Sequence, residues 1–393
     1  MITRLRFENY RSHGATEFPL QPITLFIGST ASGKSNVFKG LSFIQNSVRR
    51  QIHNYFGLGR GEFRQVRSQW AGESDPIGFE VELNGFKDQP DVSATYRLRL
   101  ADSSEGLYVL EESLSRRHGD SPPESVFLRE AMTPRPMGEF GEVGPYDPTL
   151  LYQARQCQDE SNPCSPSKSF AKQVASQLVS LGYYHLFISK MNSLDQDPFP
   201  NLIGKHGENL PRFLLSAKKE DPQRYNQILS SMQELLPELE SIEVDGEIPG
   251  SPGIAMKFRG HEGSIAAPDL SDGTLLSLGL LCIALVPSPP SLLCIEEPEA
   301  GIHPGRLRSL FEEFITLAYP DEGVEPTQVL FSTHSPWLID FFDEMPESVL
   351  LVEQKNGRSK VKRLVDVRRD SLHETLFNGP IGHLWATGVY EGL

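Results

Sequence analysis

One stretch near the amino terminus constrains the fold more than any other, because it sets two glycines, a lysine and a serine at fixed spacing. Residues 28–35 read Gly-Ser-Thr-Ala-Ser-Gly-Lys-Ser. The apolar run before them, residues 23–27, predicts a buried strand, and apolar residues at steps of three and four after them predict a helix. Strand, glycine loop and helix are the context in which this pattern binds phosphate. The sequence therefore predicts a phosphate-binding loop, which we call the P-loop.

The P-loop offers a nucleoside triphosphate several kinds of contact. Gly28 and Gly33 let the backbone bend so that its N–H groups converge on phosphate oxygens, and the start of the helix adds further donors. Lys34 is expected to reach the β- and γ-phosphates, and the Ser35 hydroxyl is expected to bind Mg²⁺, so ATP and Mg²⁺ are the predicted cofactors. The predicted nucleotide-binding residues of this stretch are Gly28, Ser29, Thr30, Ala31, Ser32, Gly33, Lys34, Ser35 and Asn36.

Composition narrows the class of protein. The chain has 393 residues, 38% hydrophobic and 23% charged, which is typical of a globular protein with two or three domains. Its net charge of −15 opposes indiscriminate binding to nucleic acid or anionic membranes but leaves room for a local basic patch. We find neither a signal-peptide pattern nor an apolar run long enough to span a bilayer, and no C-x-x-C pair. We therefore expect a cytoplasmic protein without membrane association.

The order of strand and helix patterns predicts three parts. Residues 1–115 hold strand patterns around the P-loop and alternating segments typical of an antiparallel meander. Residues 116–250 form an irregular and helical insertion. Residues 251–393 alternate helices with short buried strands, which indicates a mostly parallel sheet. We predict an α/β fold with two ATPase lobes, 1–115 and 251–393, that combine into one nucleotide-binding sheet.

Several local expectations can be tested directly. Residues 119–167 are rich in proline and glycine and predict an irregular stretch, and residues 169–191 predict a helix. Asp221 followed by a proline predicts the start of another helix. The last sheet strand is expected at residues 348–352.

Two adjacent carboxylates follow a second buried strand pattern. Residues 292–295 are apolar, and Glu296 and Glu297 come directly after them. Ligands bind at the carboxyl ends of strands in α/β sheets. One carboxylate can hold Mg²⁺ opposite Ser35, and the next can polarise the water that attacks the γ-phosphate. The alternative is an acidic helix start or turn after a strand.

Two further motifs are weaker on their own. Ser271 and Gly273 precede an apolar helix, where they suit either an anion site or an ordinary N-cap, and spacing alone favours the N-cap. His334 follows a strand, where it suits a sensor of the γ-phosphate or a holder of the attacking water. A lone histidine between serine and threonine residues is more commonly just hydrogen-bonded.

In combination, these motifs resemble the ABC-type ATPases of the chromosome-maintenance and RecF-like group. The chain looks closest to the AAA-type ATPases related to the OLD (overcoming lysogenization defect) family. The segments that carry the resemblance are residues 7–13, 28–36, 270–274, 295–304 and 332–336. The resemblance implies a P-loop NTPase fold of the ABC/chromosome-maintenance head type, with two lobes and a helical insertion.

The resemblance also implies roles for single residues. Lys34 binds the phosphates, Ser35 and Glu296 hold the metal, Glu297 resembles the catalytic base, and His334 resembles the switch histidine. The group's Q-loop glutamine cannot be placed, since Gln65 and Gln153 are both poor candidates.

Other implied residues concern a second subunit and the base. Ser271 and Gly273 resemble the signature motif, which closes over ATP held by a second subunit, so a homodimer or higher homo-oligomer is expected. Residues 299–303 resemble the loop that communicates across that dimer. Arg11 lies in a segment that flanks the nucleotide base. Asp272 departs from the glycine of ABC transporters, and an acidic side chain near a triphosphate is unfavourable unless it turns away.

The implied function is an ATP-hydrolysing switch in bacterial anti-phage defence or DNA maintenance, with a separately encoded effector. OLD nucleases carry a Toprim domain after the ATPase, and only 57 residues, including the last expected sheet strand, follow Pro336 here, so we expect no nuclease on this chain. The alternative is a nucleotide-gated scaffold that sequesters a toxin or nuclease partner with little turnover. A transporter subunit is disfavoured because the signature lacks Leu-Ser-Gly-Gly.

One basic and aromatic stretch suits a nucleic-acid partner. Five arginines between Arg49 and Arg67 are interleaved with aromatic residues. DNA contact through this stretch is one interpretation. A solvated loop or a subunit interface is the other. The residues concerned are Arg49, Arg50, Arg60, Arg64 and Arg67, with Phe56, Phe63 and Trp70.

Overall fold

The computed structural model of the chain describes residues 1–49, 60–86, 89–103, 106–130, 148–150, 165–191, 202–244, 253–370 and 379–390. The chain divides into two compact units. The first comprises Met1–Leu181 and Glu347–Ser371, and the second comprises Gly182–Pro346 and Leu372–Leu393. The predicted boundaries at residues 115 and 250 stay predictions.

The regular elements between residues 1 and 179 are β1 (Ile2–Tyr10), β2 (His13–Pro19), β3 (Ile23–Ile27), α1 (Lys34–Arg49), α2 (Arg60–Val66), β4 (Ile77–Phe86), β5 (Gln89–Ser103), β6 (Gly106–His118), β7 (Glu124–Glu130) and α3 (Pro166–Val179). They are followed by β8 (Leu181–Tyr184), α4 (Ile188–Met191), α5 (Leu210–Glu220), α6 (Pro222–Leu235), β9 (Leu239–Glu243), β10 (Ala255–Phe258), β11 (Ser264–Ala266), α7 (Asp272–Ala284), β12 (Leu292–Glu296), α8 (Pro304–Ala318), β13 (Gln328–Thr333), α9 (Pro336–Asp340), β14 (Val349–Lys355), β15 (Arg358–Arg363), α10 (Leu364–Asp370) and α11 (Ile381–Ala386).

The first unit contains the predicted antiparallel meander. Its strands follow the order β2-β1-β4-β5-β6-β7, and each pair is antiparallel. In β5, Tyr96 and Leu98 are buried, whereas the alternate residue Arg97 faces Glu80 and is partly exposed. This alternation is that of a sheet with one buried and one solvated face, which confirms the prediction for this part of the chain.

The same unit holds the strand and helix around the P-loop. All of β3 is buried, and β3 runs parallel to β14, with Leu25 opposite Val349. The apolar face of α1 is buried as the spacing predicts, and Phe38 meets Phe26 edge-on with ring centroids 5.7 Å apart. A buried parallel pair needs a nearly continuous apolar sequence, and β3 is apolar apart from Thr24.

The second unit is built around a parallel pair of strands. β12 and β13 are parallel, with Glu296 opposite Ser332, and β8 lies on the other side of β12. The helix α7 is apolar on every side and buried along nearly its whole length, as expected of a core helix. The N-cap predicted at Asp221 is confirmed, because its carboxylate accepts a hydrogen bond from Arg224 N at 3.2 Å.

Three sequence predictions are wrong. Residues 181–184 form β8 rather than part of a helix, because their place in the sheet beside β12 overrides the helical pattern of the local sequence. The stretch predicted to be irregular contains β7; its residues 131–147 and 151–164 lie outside the described part. The strand at residues 348–352, expected to be the last of the sheet, is β14, but β15 follows it, because Asn356 and Gly357 both have positive φ (53° and 76°) and form the type of turn that joins a hairpin.

Candidate functional site

The P-loop connects β3 to α1 through two positions that only glycine can occupy. A Cβ on Gly28 would lie 2.1 Å from the carbonyl oxygen of Val352, and a Cβ on Gly33 would lie 2.2 Å from Ser359 Oγ. Gly33 also has a φ of +110°, which residues with side chains rarely adopt. The tight turn between strand and helix therefore depends on both glycines of the motif.

Lys34 is buried and turned back onto the loop. Its Nζ donates hydrogen bonds to the carbonyl oxygens of Gly28 at 2.7 Å and Ser29 at 3.0 Å. The first turn of α1 contains no acidic residue, and Ser35 is half-buried within that turn. Glycine-rich backbone, a helix start and an ammonium group in one place are the donors that a triphosphate requires. The residues present fit that ligand.

The P-loop is held in place by three side chains that the sequence did not single out, those of Ser12, His13 and Ser359. Ser359 Oγ donates to the carbonyl oxygen of Ser32, and its distance to Ser12 Oγ is 2.8 Å. Asn36, predicted to contact nucleotide, donates through Nδ2 to Ser12 Oγ at 2.9 Å. His13 Nε2 lies 3.2 Å from the carbonyl oxygen of Gly33. The loop is thus held between the β1–β2 turn and β15.

The buried ring of His13 is neutral. Burial lowers the pKa of His13 to about 4, against a smaller opposing effect of its hydrogen bond to Gly33. Because a carbonyl oxygen only accepts, Nε2 carries the ring proton. The other ring nitrogen, Nδ1, is buried without a hydrogen-bond partner.

Arg11, which directly precedes Ser12, has an unusual backbone conformation. Its φ is +53°, and its N–H donates to the carbonyl oxygen of Val66 at 2.7 Å. The guanidinium lies over the ring of Tyr10, with Cζ 5.7 Å from the ring centroid. Its role beside the nucleotide base stays a prediction.

The two adjacent carboxylates of the second unit have different surroundings. Glu296 is only 6% exposed, accepts a hydrogen bond from Tyr183 Oη, and lies with Oε2 3.6 Å from His185 Nδ1. The Glu297 side chain is 47% exposed, and its Oε1 lies 3.8 Å from His334 Nε2. The φ of Glu297 is +46°, a strained value for a residue with a side chain. One carboxylate is thus enclosed, whereas its neighbour is open and paired with a histidine.

Glu299 ties the loop after β12 to the loop after β13. Its Oε1 accepts hydrogen bonds from Thr333 Oγ1 and from the backbone N–H of His334, the latter at 3.1 Å. Burial raises the pKa of Glu299 above its ordinary value, partly offset by these hydrogen bonds. Glu299, two residues after Glu297, therefore helps to hold His334 in position.

Ser271 caps α7, as its spacing predicts. Its Oγ accepts from Thr274 N at 3.3 Å and lies 2.8 Å from Thr274 Oγ1. Asp272 occupies the first turn and is exposed, while Gly273 is buried. A Cβ on Gly273 would lie 2.4 Å from the carbonyl oxygen of Gly301. The N-cap interpretation is confirmed, and the signature role stays a prediction.

The described part of the basic stretch makes contacts within the protein. Arg49 donates to the carbonyl oxygen of Val179 at 2.8 Å, and Arg64 and Arg67 both pair with Asp102. Phe63 is buried. These contacts favour a structural role, and DNA binding stays a prediction. Arg50, Phe56 and Gln153 lie outside the described residues, whereas Gln65 is exposed on α2.

Each unit brings together its own share of the predicted residues. The first holds the P-loop from Gly28 to Asn36, and the second holds Glu296, Glu297 and His334. Within the ranges described, no cluster of three or more His, Cys, Asp or Glu is arranged to hold a metal. The carboxylate of Glu296 suits a magnesium ion all the same, because this ion retains waters and takes only one or two protein oxygens beside phosphate. In the same part of the chain, every helix is too short or too polar to cross a bilayer.

Comparison with known families matches part of the second unit. A family model described as "AAA domain, putative AbiEii toxin, Type IV TA system" matches residues 182–340, less than half of the chain. The match includes Glu296, Glu297 and His334. No curated protein sequence matches the chain.

Comparison with solved structures covers nearly the whole chain. A crystal structure of the Smc head bound to the C-winged helix domain of ScpA aligns with a TM-score of 0.50 at 14% identity, covering 92% of this chain and 97% of that one. The SMC head domain from Thermotoga maritima gives 0.45 at 12% identity, covering 92% and 98%. A Pyrococcus furiosus Smc head with an extended coiled coil, bound to the C-terminal domain of ScpA, gives 0.49 at 13%, covering 94% and 98%.

Only the first of these structures reaches a TM-score of 0.5, and at its low identity it shows the fold alone. That fold is the P-loop NTPase fold of chromosome-maintenance heads. The predicted fold class is therefore confirmed. The fold and the segment match together support an ATPase of the AAA or ABC type.

Proposed function

We propose that the chain is an ATP-binding and ATP-hydrolysing switch. The observation that carries this proposal is the pair formed by Glu297 and His334 at the carboxyl ends of two parallel strands. An exposed carboxylate beside an imidazole can orient a water molecule and accept its proton. The same chain carries a P-loop whose residues fit a triphosphate.

Each residue of the proposed site has one task. The backbone of residues 28–35 and the ammonium of Lys34 bind and orient the phosphates. Ser35 and Glu296 are the residues that would hold Mg²⁺, which, when bound, neutralises charge on the β- and γ-phosphates. Glu297 orients the attacking water and takes its proton, and His334 donates to the γ-phosphate.

The local backbone supports these assignments. Residues with side chains that adopt positive φ cost of order 1–3 kcal/mol and concentrate at functional positions. Glu297 is such a residue, and its N–H donates to the carbonyl oxygen of Ser332 at 2.9 Å. Glu297 therefore has a strained backbone next to the end of β13. Such strain is expected at a functional position.

We further propose that two copies close around ATP. The Ser271 end of α7 is exposed and offers a hydroxyl at a helix start, which can complete an anion site on a second copy. Anti-phage defence or DNA maintenance, with a separately encoded effector, is the proposed context. The description of the matching family model includes the words "putative AbiEii toxin, Type IV TA system". That supports a partner encoded apart from this chain.

The test compares Glu297→Gln with Lys34→Ala. Glu297→Gln should keep ATP affinity, lose phosphate release and accumulate ATP-bound dimers, because only the water-activating carboxylate is removed. Lys34→Ala should lose ATP binding. Phosphate release, ATP affinity and mass with and without ATP are the measurements. The exposed Glu322→Gln, outside the site, serves as the matched control.

Two outcomes would contradict the proposal. If the wild-type chain binds ATP but releases no more phosphate than Lys34→Ala, hydrolysis is not its function, and a nucleotide-gated scaffold for a toxin or nuclease partner takes its place. If the chain is monomeric with and without ATP, closure of two copies is wrong.

A further inference from the structure

The strand β8 brings an unassigned phenol to the buried carboxylate of Glu296. Tyr183, on β8, donates its hydroxyl hydrogen bond to Glu296 Oε1. His185, just beyond the strand, places Nδ1 3.6 Å from Oε2 of the same carboxylate. Both carboxylate oxygens are therefore approached by side chains from one short segment.

That segment is itself held in place by a second one. His185 N–H donates to the carbonyl oxygen of Lys205 at 2.9 Å, and Phe187 N–H donates to that of His206 at 3.1 Å. His206 Nδ1 lies 2.8 Å from the carbonyl oxygen of His185 and donates to it. Residues 185–187 are thus pinned to residues 205–206 at three points.

The aromatic face of Tyr183 also contacts a cationic side chain, which helps to hold the ring in place. The ammonium of Lys205 lies 3.9 Å from the ring centroid, within the range of a cation–π contact. A ring clamped in this way keeps its hydroxyl at one position. The hydrogen bond to Glu296 therefore starts from a donor whose place is determined before any ligand binds.

A fixed donor matters for a carboxylate that serves as a metal ligand. Each carboxylate oxygen has two lone pairs, so Oε1 can accept from a phenol and still present a lone pair to a cation. Outer partners of this kind orient the ligand, and their loss typically weakens metal affinity 10- to 100-fold. A carboxylate free to rotate presents the correct oxygen only part of the time.

We propose that Tyr183 is a positioning residue, whose hydroxyl orients the Glu296 carboxylate to receive the Mg²⁺ of bound Mg-ATP. This inference rests on the proposed nucleotide-binding function. It assigns β8 a place in the site, although neither the P-loop pattern nor the carboxylate pair includes that strand.

The chain supplies a matched control in the next residue. Tyr184 is buried, and burial raises its pKa to about 12. Successive side chains of a strand point to opposite faces. Tyr184→Phe therefore removes the same atom from the same strand without touching Glu296.

The experiment measures binding of a non-hydrolysable ATP analogue to the wild-type chain, Tyr183→Phe and Tyr184→Phe, in EDTA and over a series of Mg²⁺ concentrations. With Tyr183→Phe we expect the Mg²⁺ dependence to shift to about 10- to 100-fold higher concentration. Affinity in EDTA should be unchanged, which also shows that the variant is folded. Mn²⁺ in place of Mg²⁺ allows the bound metal to be followed by electron paramagnetic resonance. Tyr184→Phe should match the wild type in both measurements.

Three outcomes would overturn the inference. Equal Mg²⁺ dependence in Tyr183→Phe and Tyr184→Phe means that the hydroxyl has no positioning role. Tighter Mg²⁺ binding by Tyr183→Phe means that the phenol competes with the metal. If the wild-type chain itself binds no nucleotide, the proposed function fails and the inference fails with it, whereas the first two outcomes leave nucleotide binding intact.

Discussion

His13 Nε2 lies 3.2 Å from the carbonyl oxygen of Gly33, so a buried histidine supports the turn at which the P-loop enters its helix. The ring has no exposure to solvent, and its pKa is lowered to about 4 by burial. A histidine in an unfolded chain titrates near 6.5. The folded state therefore favours the neutral ring, and we expect protonation of His13 to destabilise the P-loop turn.

We predict a loss of stability between pH 7 and pH 5. Below about pH 6.5 the unfolded chain binds a proton at His13, whereas the folded chain does so only near pH 4. The contribution of His13 to the free energy of unfolding is therefore fully present above pH 6.5 and is lost as the pH falls toward 4. This one group should lower the free energy of unfolding by about 2 kcal/mol between pH 7 and pH 5. Urea unfolding at both pH values measures it.

The matched variants for this prediction are His13→Gln and His118→Gln. The first keeps an N–H donor for Gly33 but does not titrate, so its stability should change less with pH than that of the wild type. The second alters an exposed histidine of the same unit and should leave the pH dependence unchanged. An unaltered pH dependence in His13→Gln would show that other groups cause the acid sensitivity.

Gly33→Ala should abolish ATP binding. The new Cβ would lie 2.2 Å from Ser359 Oγ and 2.7 Å from Ser12 Oγ, and the φ of +110° adds backbone strain. Gly85→Ala is the control, since Gly85 has a φ of +71° but nothing within 4 Å of its Cβ. It should cost only about 1–2 kcal/mol of stability and leave ATP affinity intact. Titration with a fluorescent ATP analogue decides; equal affinity in both variants contradicts the steric account.

Glu299→Ala should lower the rate of ATP hydrolysis without weakening ATP binding. The substitution removes the acceptor for Thr333 Oγ1 and the His334 N–H, so the loop that carries His334 is no longer held. We expect a reduction in kcat of about tenfold or more, equivalent to ~1.4 kcal/mol. Glu299→Gln retains a carbonyl acceptor and should lie nearer the wild type in steady-state phosphate release. Identical rates for the two variants would show that the hydrogen bonds at Oε1 are not what matters.

Glu112→Ala should destabilise the meander by about 3–5 kcal/mol, because it removes the carboxylate that lies 4.0 Å from the buried guanidinium of Arg129. The carboxylate is fully buried and accepts from Tyr96 Oη at 2.9 Å, Leu150 N–H at 3.0 Å and Thr149 N–H. Glu124→Ala removes an exposed partner of Arg116 and should leave the melting temperature unchanged. Thermal unfolding of both variants is the measurement, and a similar melting temperature for the two would contradict the structural role of Glu112.

Local sequence was sufficient where an element carries its own signal. The strand β3 and the helix α1 show apolar spacing of two different periods on either side of the glycines, and β12 shows a short apolar run ended by two carboxylates. Ser271 and Asp221 were recognised as helix starts because an N-cap depends only on residues a few positions away. The fold class followed from these elements and their order.

The supporting contacts could not be predicted, because they join residues far apart in sequence. Ser359 and Ser12 are 347 positions apart, and Tyr183 and Glu296 are 113 apart. A single serine or tyrosine has no periodicity that would mark its partner. Because β8 follows α3 after one residue, the sequence alone predicts a helix there, and only the place of β8 beside β12 decides its conformation.

The contact between β15 and the P-loop has a consequence for how the protein is made. The P-loop is translated within the first tenth of the chain, yet Ser359, which bonds to the carbonyl oxygen of Ser32, follows 327 positions later. Contacts of such long sequence separation form late, because a large loop must close first. The ribosome must therefore complete nearly the whole chain before the P-loop obtains its backing. A product cut short before β15 contains every residue of the motif but lacks the surface that gives the motif its shape.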